Sequence, residues 1–407
     1  MTRVERHIIV KDKNIDHLCF LSKNLYNYCN YLIHQEFYDT GNMPSEYEMT
    51  AMLAKTDQVD YRALPTQTSQ QIVKLLYKNW WSFFKANKVW KKNPASFMGK
   101  PKIPQFKHKI KGRNIVIFTG QQIRLKDGYI YFPELVHMNA VKTKVNHINQ
   151  VRIVPQANCY IVEVGYEKEV EQHELDENLH LSVDLGINNL ATLTTDSGDI
   201  PLLVNGRIIK SMNQYYNKKR AVLKSYVNGK SSNRLNTLDL KRNNKVTDYM
   251  HKASRFIINY CITNKIGNIV IGYNKGWKDA INIGRVNNQK FVSIPHFKLI
   301  QQIQYKAEDV GIHVCLHEES YTSKCDALAL EPVEKREIYT GKRKKRGLFQ
   351  SSTGKTINAD VNGSINILRK VIGDSFVKTI ADIGLAERPI RVHPYEYDLA
   401  KCTCFAN

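Results

Sequence analysis

The chain has 407 residues, 42% hydrophobic and 10% aromatic, with 60 Lys+Arg against 38 Asp+Glu and a net charge of +22. That length exceeds one small domain and that apolar content excludes a disordered chain, so two or three domains are expected. The basic residues run through the whole chain, so the expected partner is a polyanion: nucleic acid first, an anionic membrane surface second.

Taken in chain order, VERHIIVK (4–11) alternates as one strand. Leu18, Leu21, Leu25, Tyr28 and Leu32 recur at helical spacing from Ile15 to about Tyr38, and a second helix is expected over 45–55. A third starts after Pro65, with Thr66, Thr68 and Ser69 as polar caps, and runs through TSQQIVKLLYKNWWSFFKANKVW. Residues 91–113 hold three prolines and many lysines and read as a loop. From 114 to 170 the period becomes two, with Asp127-Gly128 as a hairpin turn. This predicts a small β-barrel completed by the first strand, with the helices inserted in one connection.

The acidic stretch 169–179 is expected as a linker. Strands then follow at 181–186, 190–195 and 200–204, a basic helical section at 209–264, a strand at 268–273, a helix after Pro295, a strand at 312–317 and a final helix. This order is the RNase H layout with an insertion at 322–357. There is no run of 18 apolar residues, so no transmembrane helix is expected, and the start of the chain lacks a signal-peptide core. The eight cysteines (19, 29, 159, 261, 315, 325, 402, 404) show no framework spacing and read as reduced cytoplasmic thiols. Cys402-Thr-Cys404 is too short a pair for a metal site, and His180, His313 and His317 read as structural.

Two acidic residues carry the chemistry. Asp184 ends a strand in HLSVDLGINNLATLTT, and Asp360 starts an amphipathic helix in INADVNGSINILRK, followed by Asn362. A strand-borne and a late helix-borne Asp suit an RNase H/RuvC-type nuclease, in which two Mg²⁺ ions clamped by carboxylates activate water against a phosphodiester. Such a site also needs a third carboxylate at the end of the fourth strand, and Gly272 stands there. The neighbouring strand ends in HVCLHEES, which brings Glu318 and Glu319 to the same edge. They are either turn residues facing solvent or a relocated metal ligand, and strand alternation lets only one reach the site.

Other features point to nucleic acid. The run Lys342, Arg343, Lys344, Lys345 and Arg346 reads as a phosphate-binding hairpin tip. Gln70, Gln71, Lys74 and Lys78 lie near the start of one helix, where amides can pair with adenine and Lys with guanine or phosphate. Trp80, Trp81, Phe83 and Phe84 cannot all face one core, which leaves some of them free to stack on bases. A zinc ribbon in 322–357 would need two CxxC pairs, and only Cys325 is present.

The segments SVDLGINNLATLTT, IVIGYNKGWK, EESYTSKCDALALE, YTGKRKKRGLF and INADVNGSINILRKV resemble the TnpB family of transposon-encoded, RNA-guided DNA nucleases, which are related to compact type V CRISPR effectors. The resemblance is dense over 180–372 and looser over 1–170. It implies a mixed α+β and α/β multidomain chain: a β-barrel wedge domain (1–14 and 113–172), a helical recognition lobe (15–112), a RuvC domain (179–321 and 358–372), a nucleic-acid-binding insertion with a degenerate zinc ribbon (322–357) and a tail (373–407). It also implies a guide RNA, double-stranded target DNA with a short adjacent motif, two Mg²⁺ ions and a bacterial cytoplasmic setting; the missing ribbon cysteines put zinc in question. Carried over, Asp184 and Asp360 match the first and last RuvC aspartates. The chain is similar to a branch in which a glutamate two residues before the Tyr of YTSK replaces the middle one, namely Glu319, with Glu318 as the alternate. Lys218, Lys219, Arg220, Lys224, Lys241 and Arg242 would hold RNA and heteroduplex phosphates. The sequence leaves three rivals open: a nuclease-dead guided repressor, an effector using a separate CRISPR RNA, and a structure-specific nuclease of the Holliday-junction type.

Overall fold

The computed structural model describes residues 1–396 except 11, 228, 230, 275, 277–283 and 383. Part of the GYNKGWK motif (Lys275, Trp277, Lys278) and the Cys402–Cys404 pair lie outside the described residues. The chain divides into two compact units, Met1–Lys168 and Glu169 onward.

In the first unit, β1 (Thr2–Ile9) leads into α1 (Lys13–Thr40), which starts on an Asp12 cap and ends at Gly41 in the left-handed conformation, φ 74°. Next come α2 (Glu46–Lys55), opened by a Ser45/Glu48 capping box, the short α3 (Val59–Arg62) and α4 (Thr66–Lys92), which follows Pro65. Five strands follow: β2 (Val116–Thr119), β3 (Arg124–Lys126), β4 (Tyr129–Tyr131), β5 (Val141–Lys142) and β6 (Gln150–Pro155). The unit ends with β7 (Tyr160–Glu167).

The pairing is β1-β7-β6-β2 in one antiparallel sheet and β3-β4-β5 in another. Among the described residues these ladders do not close, so the expected barrel is corrected to two open sheets; the Asp127-Gly128 turn, with both residues at positive φ, closes the β3–β4 hairpin as expected. Trp80, Leu76, Leu25 and Ile33 from the helices share a core with Phe118, Val151 and Val162 from the sheet. The proline- and lysine-rich segment is irregular, as expected, but it is tied down. Asn30 and Asn27 of α1 donate to the carbonyls of Pro104 (3.0 Å) and Lys107 (2.8 Å), which satisfies backbone that has no ladder.

The second unit opens with β8 (Asp176–Leu185), β9 (Asn189–Thr195) and β10 (Leu202–Asn205). The strand starts inside the acidic stretch expected as a linker, because backbone pairing with the next parallel strand begins at Asp176. The basic section is two helices, α5 (Arg207–Ser225) and α6 (Asn233–Thr263), the second capped by Ser232. Then come β11 (Ile266–Gly272), α7 (Arg285–Val292), α8 (His296–Glu308) and β12 (His313–His317). The insertion carries β13 (Lys342–Lys345), β14 (Leu348–Gln350) and β15 (Thr356–Asn358), one small antiparallel sheet. It leads directly into α9 (Ala359–Ile372), after which come α10 (Val377–Asp382) and β16 (Ile390–Val392).

The main sheet has the order β12-β11-β8-β9-β10-β16, with β11 parallel to both its neighbours and β16 parallel to β10. The tail thus adds a sixth strand that its three-residue length hid from pattern reading. Strand alternation sorts the two faces. Leu181, Val183, Ile269 and Ile271 pack with Tyr249, Ile257 and Ile303 of α6 and α8. Val270 and Leu203 pack on the other face with Ile365 and Leu368 of α9. Asp184 alternates with Val183 on β8 and Gly272 lies two residues after Val270 on β11, so both face α9.

Candidate functional site

Close packing of α9 on β8 builds the site. A Cβ on Gly363 would stand 2.8 Å from Asp184 Oδ2, so only glycine lets the helix approach the carboxylate. Two residues earlier on the strand, the Ser182 and Ser364 hydroxyls are 2.8 Å apart and pin helix to strand. Asp360 lies one turn before Ser364, in the first turn of α9 behind the Asn358 cap. Its Oδ2 accepts a 2.7 Å hydrogen bond from Asn189 Nδ2 at the start of β9.

The third carboxylate arrives from the neighbouring strand. A Cβ on Gly272 would lie 2.6 Å from Glu319 Oε2 and 2.5 Å from Ile367 Cδ1. Glu319 therefore occupies the volume that a side chain on β11 would fill. Asn274 Oδ1 accepts from the Glu319 backbone N–H (3.2 Å), while the Glu319 carbonyl accepts from Thr322 Oγ1 (2.8 Å). Glu318 turns outward instead, where Lys370 of α9 pairs with its carboxylate at 3.1 Å and also donates to its carbonyl at 3.0 Å. The two glutamates thus point apart, and Glu319 is the one that shares Asp184's surroundings.

The electrostatics follow. Burial first, then the charges of Asp360 and Glu319, hold the Asp184 carboxyl well above the usual carboxylate range, with Arg343 opposing. Burial and the Glu318 charge push Glu319 up to about 7 against Lys370. Repelling hard-oxygen donors of this kind fit a divalent cation, whose charge would offset the repulsion. Among the described residues, no group of three Asp, Glu, His or Cys side chains is drawn in to ligand spacing around one point.

The insertion is held to α9 by hydrogen bonds. Asn362 and Asn366 donate to the Cys325 carbonyl (2.8 and 2.7 Å), Asn362 accepts from Ala327 N–H (3.0 Å), and Arg369 donates to the Glu331 carbonyl (3.0 Å). The buried Asp326 carboxylate takes the Ser352 N–H (2.6 Å) and hydroxyl (3.1 Å), and buried Glu331 takes the backbone N–H of Asp326 (2.8 Å) and of Thr340 (2.9 Å). Cys325 Sγ lies 3.7 Å from the Glu334 carbonyl. Carboxylates and amides thus close the turns of this insertion.

The basic residues divide. Lys342 to Arg346 are all exposed, but as strand β13 plus its turn rather than as a bare tip. Lys218, Lys219, Lys224 and Lys241 are exposed, whereas Arg220 lies 3.8 Å from Asp239 and Arg242 donates to Asn213 Oδ1 and, at 2.6 Å, to the Ser293 carbonyl. Arg242 is thereby turned inward, correcting its place among the outward phosphate contacts. In the first unit, Gln70, Lys74 and Lys78 form an exposed stripe on α4 and Gln71 is half-buried. Trp80 is fully buried with Nε1 on Asn30 Oδ1 (3.0 Å), and Trp81 is 57% exposed. His180 bonds Asp196 at 2.9 Å, a structural pairing. Sequence reasoning missed Asn189, Asn366 and Arg369; the signal for the last two was their helical spacing from Asn362.

Residues 163–278 match the OrfB_IS605 family, described as a probable transposase, and 296–367 match the Cas12f1-like TNB domain. The CRISPR-associated endodeoxyribonuclease Cas12f1 of Sulfoacidibacillus thermotolerans is 24% identical over 236 residues, 54% of this chain and 53% of that protein, so the match spans about half of that relative. A cryo-EM structure of a Cas12f1–sgRNA–target DNA complex shares the fold, with TM-score 0.54 at 13% identity over 86% of this chain and 81% of that one. Among the described residues, no helix is long and apolar enough to cross a membrane. Two family models thus match in order between residues 163 and 367, and over that stretch the chain is similar to the TnpB-type transposases and the compact Cas12f1-type effectors.

Proposed function

We propose that this protein is an RNA-guided DNA endonuclease that hydrolyses a phosphodiester at the Asp184–Glu319–Asp360 site. The observation that carries the reading is Glu319 standing in the space over Gly272, beside an Asp184 whose proton affinity it raises. A decayed site would have no reason to gather repelling carboxylates. Asp184, Glu319 and Asp360 would hold two Mg²⁺ ions, which when bound supply Lewis-acid charge to the phosphate and acidify a water.

The chain's own residues do the rest. Gly363 and Gly272 let the backbone stand close to the Asp184 and Glu319 carboxylates, where any side chain would intrude. Lys370 holds the end of β12 and thereby aims Glu319 inward. Arg343, whose charge Asp184 feels, would meet a substrate phosphate beside the site, with Lys342, Lys344, Lys345 and Arg346 extending the positive edge. Lys218, Lys219, Lys224 and Lys241 offer a second exposed row for RNA or heteroduplex backbone. The Gln70–Lys74–Lys78 stripe on α4, with Gln71, would read a short motif flanking the target, while guide pairing supplies most of the sequence choice.

The test is purification from cells carrying the flanking DNA, sequencing of bound RNA, and assay on a plasmid matched to that RNA with Mg²⁺. A discrete RNA and matched cleavage support the reading. A discrete RNA with binding and no cleavage favours a guided repressor, and the absence of any specific RNA favours a nuclease acting on DNA structure.

A further inference from the structure

Asp360 does not stand alone at the head of its helix. Asn189, 5% exposed at the start of β9, donates from Nδ2 to Asp360 Oδ2 at 2.7 Å. The other end of the same amide, Oδ1, accepts from Arg391 Nη2 at 3.4 Å. These two partners fix the amide's orientation, because an amide nitrogen only donates and its oxygen only accepts. Arg391 belongs to β16, the late strand that pairs with β10, with Arg391 opposite Leu203. That strand is anchored independently of the arginine head. Val392 is fully buried, the Ile390 N–H donates to the Pro201 carbonyl (2.9 Å), and the Asn205 amide meets the His393 ring at 3.0 Å.

We infer that Asn189 is a positioning residue for Asp360, and that the strand at 390–392 serves the same site by holding Asn189 through Arg391. The inference rests on the proposed nuclease reading. Its physical content is orientation: the amide occupies one oxygen of Asp360 and leaves the other for a cation, and Arg391 keeps the amide from rotating. A partner that orients a ligating carboxylate is worth about 10–100-fold in metal affinity or activity.

Four variants test this in the protein purified with its bound RNA: Asn189→Ala, Arg391→Ala, Arg391→Lys and the Asn189→Ala/Arg391→Ala double. Two readouts are taken: the Mg²⁺ concentration for half-maximal cleavage of a matched plasmid, and Fe²⁺–ascorbate scission of the polypeptide near 184 and 360, competed by Mg²⁺. Asn189→Ala is expected to raise the Mg²⁺ requirement about tenfold and to weaken local scission, with target binding and thermal midpoint unchanged. Arg391→Ala should shift both readouts the same way by less, Arg391→Lys should recover part of that, and the double variant should match Asn189→Ala. Additive losses, or an unchanged Mg²⁺ requirement in Asn189→Ala, overturn the inference. Scission with the predicted variant pattern but no plasmid cleavage by the unmodified chain would sustain the positioning role and remove the nuclease reading. Absence of Fe²⁺ scission near 184 and 360 in the unmodified chain overturns the positioning role whatever the plasmid result.

Discussion

Glu319 fills the space that a side chain on Gly272 would occupy: the missing Cβ would sit 2.6 Å from its Oε2. On the proposed reading Glu319 supplies the third carboxylate from the neighbouring strand, and glycine at 272 leaves it room. Gly272→Ala should therefore push Glu319 and the tip of Ile367 aside. Both obstructing atoms are ends of flexible side chains, so the stability loss is expected to stay at about 1–3 kcal/mol while cleavage falls by at least tenfold. Cleavage rate and denaturant midpoint, measured on the same preparation, separate the two; an alanine that leaves cleavage intact would detach Glu319 from the chemistry.

The neighbouring glutamates should behave differently. Glu318 is exposed and paired to Lys370, and such pairs contribute at most about 1 kcal/mol. Glu318→Gln is expected to retain cleavage within a few-fold, whereas Glu319→Gln should lose it by roughly 10²-fold or more with target binding preserved. Plasmid cleavage beside a filter-binding assay measures both. Equal effects at the two positions would return the site to two aspartates.

Glu319 also predicts a pH dependence of stability. Its folded value of about 7 lies above the ordinary 4.5, so the folded protein holds more protons than the unfolded chain between these values. The associated stability is fully present below about 4.5 and is lost as pH rises through 7. In metal-free protein that loss is on the order of 3 kcal/mol from this group. Thermal unfolding at pH 5 and pH 8 in EDTA should show the unmodified chain losing ground against Glu319→Gln as pH rises, and Mg²⁺ should close the gap at pH 8. A gap independent of pH would mean that Glu319 titrates normally.

The insertion makes a metal-independent prediction. Asp326 is fully buried and accepts from Ser352 twice, so Asp326→Ala should cost about 2–4 kcal/mol by orphaning those donors. Zinc chelation should leave the thermal midpoint where it is, and metal analysis should find less than one zinc per chain. A chelator-sensitive midpoint would show that a metal supports this insertion.

Much of this was legible in the sequence, and the reasons for the remainder are specific. Asp184 and Asp360 sit in long periodic segments, where strand and helix signals are strongest. Gly272 was legible as a gap, and its meaning came from the register that sets it opposite His317, two residues before Glu319. Asn189 carries no periodic signature, and its role exists only because β16 folds back 202 residues later to reach it. That strand is three residues long, too short for alternation to announce. The barrel was over-read because alternation predicts strands but not whether their ladders close. Arg242 was counted outward because charge alone does not reveal an Asn213 waiting on the adjacent helix.

Guided cleavage at a carboxylate site is tested most directly by one paired measurement. The RNA-bound protein and its Asp184→Asn variant are compared on a plasmid matched to the bound RNA, scoring target binding and Mg²⁺-dependent cutting in parallel. Equal binding is expected, with cutting by the unmodified protein and none by the variant. Cutting by Asp184→Asn, or loss of binding in proportion to loss of cutting, would contradict it.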